Sequence, residues 1–377
     1  MVNSEVSEEE ITALVSKYFN IIAYRKGDKG DYLLIVESAT GNIENEFDKL
    51  YKRIVDVGYL PLLTTNEGFL ALHLIPRGQQ KRRSSLPIVL TIITAIMVTI
   101  SGWYLSLRFW EGLGVKFDTS VVLKDSLLFL GTLMGALAIH ELAHYLVARR
   151  RGIPVSPPYF IPAPPANLGF LGTFGAVINM RVPPPNLNYL IELGIAGPLA
   201  GFLVTIPLAY LGITLSYQVT KPEVLPSEAQ PINMVPMILA IMLKYCVPPG
   251  VSIYVHPVLL ACYFMFLITF LNLLPLGQLD GGHIVRAIVG AKVHYYLGLV
   301  IAMISLVIGS AEITGVVRHN PPIFFLVAIF SLFALMLSGQ RPHIGGLNVI
   351  SRMNRKHYLL ILVYATLIVL TLPIQLT

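Results

Sequence analysis

Charge is scarce in this chain: Asp, Glu, Lys and Arg make up 13% of its 377 residues, about half the share of an ordinary soluble protein. Disordered chains and nucleic-acid-binding tails need abundant charge, so neither reading fits and no nucleic-acid partner is expected. Cysteine is scarcer still. Cys246 and Cys262 are the only two and cannot build a disulfide framework. Glu5, Glu8, Glu9 and Glu10 stand where a signal peptide would carry basic residues, so none is expected. No period of 20–50 residues marks a repeat architecture.

What is plentiful is apolar sequence, 55% of the chain, and it is unevenly spread. Residues 1–80 hold 8 basic and 12 acidic side chains, whereas the remaining 297 hold 19 and 9. An acidic, mixed-polarity head therefore precedes a basic, apolar body, which reads as a small soluble domain followed by a membrane domain with basic loops.

Residues 1–78 read as an α/β accessory domain. Helices are expected over 8–18 and 42–57, the second with Ile43, Phe47, Leu50, Tyr51 and Ile54 on one face. Strands are expected at 21–25, 32–37, 60–65 and 69–75, the last two as a hairpin around Asn66-Glu67-Gly68. A basic linker at 79–85 leads into the membrane domain, 86–377. Runs long enough to cross roughly 30 Å of hydrocarbon fall near 86–107, 125–149, 189–213, 256–275, 294–311, 321–338 and 357–375. The shorter run 232–247 reads as interfacial or re-entrant. Seven spans with a cytoplasmic N-terminus place 14 basic residues inside and 6 outside, the favoured bias for a multi-pass protein of the cell membrane.

Intramembrane carboxylates are costly and therefore mark function. Of nine acidic residues after position 80, three fall within apolar sequence: Glu141, Glu192 and Asp280. Glu141 lies in His140-Glu141-Leu142-Ala143-His144. Histidines four apart share a helix face and can hold one zinc ion, and the intervening glutamate can act as general base on water. A third protein ligand is needed. Asp280 follows Pro275 and Gly277, which should break a helix at membrane depth, where such backbone lines a cavity. Glu192 is the rival ligand, with pairing to Arg181 as its other role. His283 is a candidate neighbour of the site, and His256 an interfacial residue.

These residues resemble a known family. His140-Glu141-xx-His144 in one span, with Asn272-xx-Pro275-xxx-Leu279-Asp280-Gly281 in a later one, is similar to the signature pair of the site-2 proteases, zinc metalloproteases that cut within membranes. The resemblance runs from about 125 to 290 and includes Gly169 to Ala176 and Ala196-Gly197-Pro198-Leu199-Ala200-Gly201. The stretch from Val255 to Gly282 looks most like the plant-chloroplast branch and its prokaryotic relatives. No PDZ domain lies between the motifs, and Gly201 stands where many relatives have Asn. The resemblance implies one zinc on His140, His144 and Asp280, Glu141 as catalytic base, and Asn272 steadying the substrate carbonyl.

The fold class expected is therefore a mainly α, polytopic membrane protein of about seven transmembrane helices, with a membrane-associated β-hairpin and the small N-terminal α/β domain in the cytoplasm. The function expected is intramembrane zinc endopeptidase, with single-span membrane proteins as substrates, the bilayer as surroundings, and a cytoplasmic regulator acting on the N-terminal domain. Two alternatives remain: a membrane metalloprotease that trims soluble or lipidated tails, which would promote Glu192 to ligand, and a transporter. The hairpin is expected within Leu168–Arg181, its free edge pairing with unwound substrate, and replacing Val177 with Pro should remove an edge donor.

Overall fold

The computed structural model describes residues 7–77, 85–219, 231–319, 321–338 and 345–376. The basic linker lies outside the described residues apart from Ser85.

The N-terminal segment forms α1 (Glu8–Ser16), β1 (Phe19–Lys26), β2 (Tyr32–Ser38), α2 (Ile43–Asp56), β3 (Tyr59–Asn66) and β4 (Phe69–Pro76). Ser7 and Glu10 close a reciprocal capping box that starts α1, and the Asn42 side chain caps α2. The four strands make one antiparallel sheet in the order β1-β2-β4-β3. Phe47, Leu50, Tyr51 and Ile54 of α2 are fully buried with Ile11, Leu34, Leu63 and Leu74.

This core does not stop at residue 77. It continues into Ala148, Ile153, Val182, Leu193 and Leu347 of the following domain. Leu63, on the edge strand β3, accepts from the Val349 amide and donates to the Leu347 carbonyl, both at 3.0 Å. The Tyr51 hydroxyl donates to the Pro183 carbonyl at 3.0 Å. The N-terminal domain is thus docked on one end of the helical body and shares its apolar core.

The body is built from α3 (Leu86–Gly112), α4 (Thr119–Arg150), α5 (Leu187–Leu215), α6 (Met237–Cys246), α7 (Pro257–Leu273), α8 (Asp280–Ile313), α9 (Ile323–Ser338) and α10 (His357–Thr371). Four of these, α3, α4, α5 and α8, are long and apolar enough to cross a membrane. The runs predicted at 256–275, 321–338 and 357–375 fold as shorter apolar helices, and 232–247 is a short strand at Met234–Pro236 leading into α6. At about 1.5 Å per residue α7, α9 and α10 are about 22–26 Å long, at the short end of what crosses roughly 30 Å of hydrocarbon. Ile88, Ile92, Ile96 and Ile100 of α3 form an exposed stripe four residues apart. Apolar side chains arrayed outward in this way suit lipid and not water.

Inside the body α5 is the hub, packing on α4, α7, α8 and α10. The sequence between α7 and α8 breaks as Pro275 and Gly277 predict, with Gly277 at φ 48°. Gly281 lies so close to the Leu273 carbonyl that a Cβ would collide with it. This contact lets the chain reverse tightly and start α8 at Asp280. Gly290, at φ 81° and ψ 173°, then divides α8 into 280–289 and 291–313.

Between α4 and α5 the chain forms β5 (Tyr159–Pro162) and β6 (Thr173–Val177), an antiparallel pair joined through a single 3-10 turn at Ala166–Leu168. The predicted hairpin is present, but it opens earlier than 168 and its second strand ends at Val177. Gly172 presses against the backbone of Met97 and Val98, where any Cβ would clash. The hairpin is therefore laid directly on α3.

Candidate metal centre

α4 presents His140 and His144 on one face, one turn apart, and both are buried. Asp280, the first residue of α8, meets them from across the bundle. His140 Nε2 lies 3.2 Å from His144 Nε2, and the Asp280 oxygens lie 3.3 Å from each of these nitrogens. Ligand atoms held at 2.0–2.1 Å around a tetrahedral zinc ion lie about 3.3–3.4 Å apart. The contacts are close to that length, with Asp280 Oδ2 facing His140 and Oδ1 facing His144, and one ligand atom from each residue lies within 4.8 Å of the others, so the residues fit a zinc ion. The remaining tetrahedral corner is left for water or substrate.

The surroundings aim the ligands. A carbonyl only accepts, so His144 Nδ1–H donates to the Leu193 carbonyl at 2.8 Å. That leaves the Nε2 lone pair pointing into the centre. Opposite the ligands, α5 carries Gly194, Gly197 and Gly201 at helical spacing. A Cβ at Gly197 would strike His144 Nε2 and come within 2.7 Å of His140 Nε2. At Gly194 it would lie 2.6 Å from the Asp280 carbonyl, and at Gly201 3.1 Å from His140 Nδ1. The glycine stripe is therefore what lets α5 close over the centre. The sequence carries this signal in its 194/197/201 spacing; the Leu193 carbonyl, a backbone acceptor, has none.

Glu141 is buried beside its two histidine neighbours. β6, which ends one residue before Ile178, packs against α4, the helix that carries Glu141. The Phe160 amide turns to Thr91 Oγ1 at 3.3 Å, so Tyr159 and Ile161 face β6 in the ladder. By alternation Gly175 and Val177 point toward β5, while Phe174, Ala176 and Ile178 point to the other edge. Among the described residues no strand pairs with that edge. Val177 is thus a ladder residue, and the edge donor expected there belongs to Ala176.

Glu192 lies outside the His140, His144 and Asp280 group. Arg151 grips it with two bonds of 2.7 and 2.6 Å, and His357 Nε2 lies 3.2 Å away. Arg151 and not Arg181 is its partner, because Arg151 ends α4 directly beside α5. Asn272 lies half-buried near the end of α7, and no hydrogen bond joins it to the cluster among the described residues. His283 is buried in the first turn of α8, near Gly194. His256 is a correction: it is buried, caps α7 by accepting from the Val258 amide, and faces Asp125 at 3.4 Å. Asp125 also accepts from Trp110 Nε1 at 2.8 Å. A residue placed at the end of an apolar run by sequence is here inside the protein, satisfied by neighbours. Cys246 and Cys262 are both free thiols.

Fold and site together define a helical membrane protein with a cluster of two buried histidines and one half-buried aspartate able to hold a metal ion. Residues 128–314 match the model of Peptidase family M50, and the chain belongs to that family. Among curated proteins, it is 27% identical over 321 residues to the probable zinc metalloprotease EGY2, chloroplastic, of Oryza sativa subsp. indica, covering 82% of this chain and 54% of that protein. It is 30% identical over 173 residues to the probable zinc metalloprotease EGY1, chloroplastic, of Arabidopsis thaliana, covering 44% and 30%. A third relative, EGY2 of Arabidopsis thaliana, is 32% identical over 198 residues, covering 50% and 34%. The chain spans about half or less of the length of these relatives. No solved structure gives a significant match.

Proposed function

We propose that the chain is an intramembrane zinc endopeptidase that hydrolyses peptide bonds in or near the transmembrane segments of single-span membrane proteins. The observation that carries this reading is the cluster of His140, His144 and Asp280, with the two imidazole Nε2 atoms 3.2 Å apart and each 3.3 Å from one Asp280 oxygen, beside the buried Glu141. Seven spans, a cytoplasmic N-terminus and a place in the cell membrane complete the proposal, on the basic-residue bias described above.

His140, His144 and Asp280 would hold the zinc ion. When bound, zinc supplies Lewis-acid polarisation of the scissile carbonyl and lowers the pKa of water. Glu141 takes a proton from the attacking water as its oxygen adds to the carbonyl carbon. The C–N bond then breaks, and Glu141 passes the proton to the departing nitrogen. Asn272 is the proposed donor to the carbonyl oxygen. The apolar walls keep bulk water away from these charges, which strengthens each interaction.

A transmembrane helix hides its carbonyls in its own hydrogen bonds and must be unwound first. The open edge of β6 supports a way to hold the unwound strand. β6 packs against α4, which carries Glu141, so a substrate strand paired on that edge would lie near the base.

The test is Glu141→Gln in the purified full chain. This variant should bind zinc as the wild type does and leave a membrane-embedded substrate uncut. Cleavage at the wild-type rate would overturn the mechanism.

A further inference from the structure

Five side chains form a strap between the N-terminal domain and the helices that carry the centre. Asp48 of α2 accepts from the Asn186 amide at 2.9 and 3.2 Å and from the Tyr189 hydroxyl at 2.5 Å. Asn186 is itself the cap of α5, accepting from the Tyr189 amide at 3.0 Å. The Asp48 carboxylate therefore sits at the positive end of α5, where a negative charge is favoured. The Tyr189 ring lies under the Arg151 guanidinium, 4.3 Å from the ring centre. Arg151 closes the C-terminal end of α4 and grips Glu192 bidentately. The residue after Glu192 is Leu193, whose carbonyl aims His144.

The helices α4 and α5 are thus tied at two levels. The inner tie is His144 to Leu193. The outer tie, about two turns further along α4, is Arg151 to Glu192, and Tyr189 and Asp48 hold it from outside. Each helix is stiff, so the outer tie sets the register of the inner one. A slip of α5 along α4 moves the Leu193 carbonyl and turns the His144 ring with it. Arg151 and Glu192 are only partly buried, so their pair adds little to stability. Its value lies in geometry, because a bidentate guanidinium–carboxylate pair permits one orientation.

We infer that Tyr189, Arg151 and Glu192 are positioning residues for His144, and that docking of the N-terminal domain through Asp48 sets the affinity of the centre for its metal. The inference rests on the reading of the centre as a zinc site. It makes the N-terminal domain a control element: whatever draws α2 from α5 loosens the metal ligand two helical turns away.

The test uses the full chain in detergent and reads metal binding, not cleavage. Tyr189→Phe keeps the ring under Arg151 and removes only the hydroxyl that Asp48 accepts. Zinc affinity, measured by chelator competition, should fall about tenfold, the lower end of the cost of disturbing a ligand's hydrogen-bonding support. The visible spectrum of the cobalt(II)-loaded protein at saturation should shift, because the geometry at His144 has changed. Asp48→Ala should have the same effect, and the double variant should be no worse than either single one. Unchanged affinity overturns the inference. Weaker binding with an unchanged cobalt spectrum, or with additive losses, also overturns it, because a merely destabilised protein would behave so. Wild-type protein that binds no metal would sink the zinc reading as well, whereas wild-type binding with indifferent variants sinks the strap alone.

Discussion

Gly197 and His144 face each other across the α4–α5 interface with no room for a side chain between them: a Cβ on Gly197 would collide with His144 Nε2. Gly197→Ala should therefore weaken zinc binding by at least about a hundredfold, the upper range for damage to a ligand's surroundings. Gly131→Ala, on the same helix as the histidines but with open space around its added methyl, should bind zinc normally. Chelator competition on the two purified variants makes the comparison. Equal affinities would mean that α5 yields and the glycine is not needed.

The identity of the third ligand separates two carboxylates. Asp280→Ala removes a corner of the triangle and should leave the purified protein nearly metal-free and inactive. Glu192→Gln leaves all three ligand atoms in place and should still take up one ion per chain at saturating zinc. Elemental analysis after dialysis reads both. Retention of metal by the Asp280 variant alongside its loss in the Glu192 variant would reverse the assignment.

The two faces of β6 predict different outcomes for neighbouring proline substitutions. Proline is tolerated on an edge strand only where its missing N–H faces outward. Ala176→Pro should keep the hairpin and the metal but slow cleavage of a membrane substrate. Val177→Pro removes a ladder amide and should disrupt the hairpin itself, with loss of protease resistance around 159–177. Limited proteolysis beside a cleavage assay distinguishes them. Normal turnover by Ala176→Pro would exclude the edge as the substrate-holding surface.

Burial raises the Asp48 carboxyl above its ordinary value, while the Tyr189 and Asn186 hydrogen bonds pull the other way. A carboxyl whose pKa is raised by folding stabilises the folded state most when protonated. The contribution is full below about pH 4 and is lost as pH rises through the folded value. The stability advantage of wild type over Asp48→Ala should thus shrink between pH 4 and pH 8. Denaturant melts of both proteins across that range give the sign, and an advantage that grows with pH would refute it.

Much of this was legible in the sequence because its signals are local. The helices and strands of residues 7–77 lie within a residue or two of the patterns read from helical apolar spacing and from runs bounded by turns. The pair at His140 and His144, and the break before Asp280, follow from helical spacing and from Pro275 and Gly277. The unreadable parts are relations between distant segments. Nothing local tells that Glu192 meets Arg151 and not Arg181, because that depends on how α4 lies on α5. His256 and Asp125 look like end residues of separate apolar runs until the fold brings them together. The helix ends were less legible, since hydropathy counts the non-helical residues that flank α7 and α10 along with the helices. Leu274 and Pro275 lie beyond α7, and Pro373 beyond α10.

The N-terminal sheet is completed by a segment from the other end of the chain. Leu63 pairs with Asn348, 285 positions later. At 5–20 residues per second of synthesis, that gap is roughly 15–60 s, during which the β3 edge has no partner from its own chain. The histidines of α4, the glycines of α5 and Asp280 have all been made before Leu347 and Val349 exist. Birth order therefore splits the docking in two: the contacts of Asp48 and Tyr51 need only residues up to 189, whereas the β3 edge waits for Leu347 and Val349.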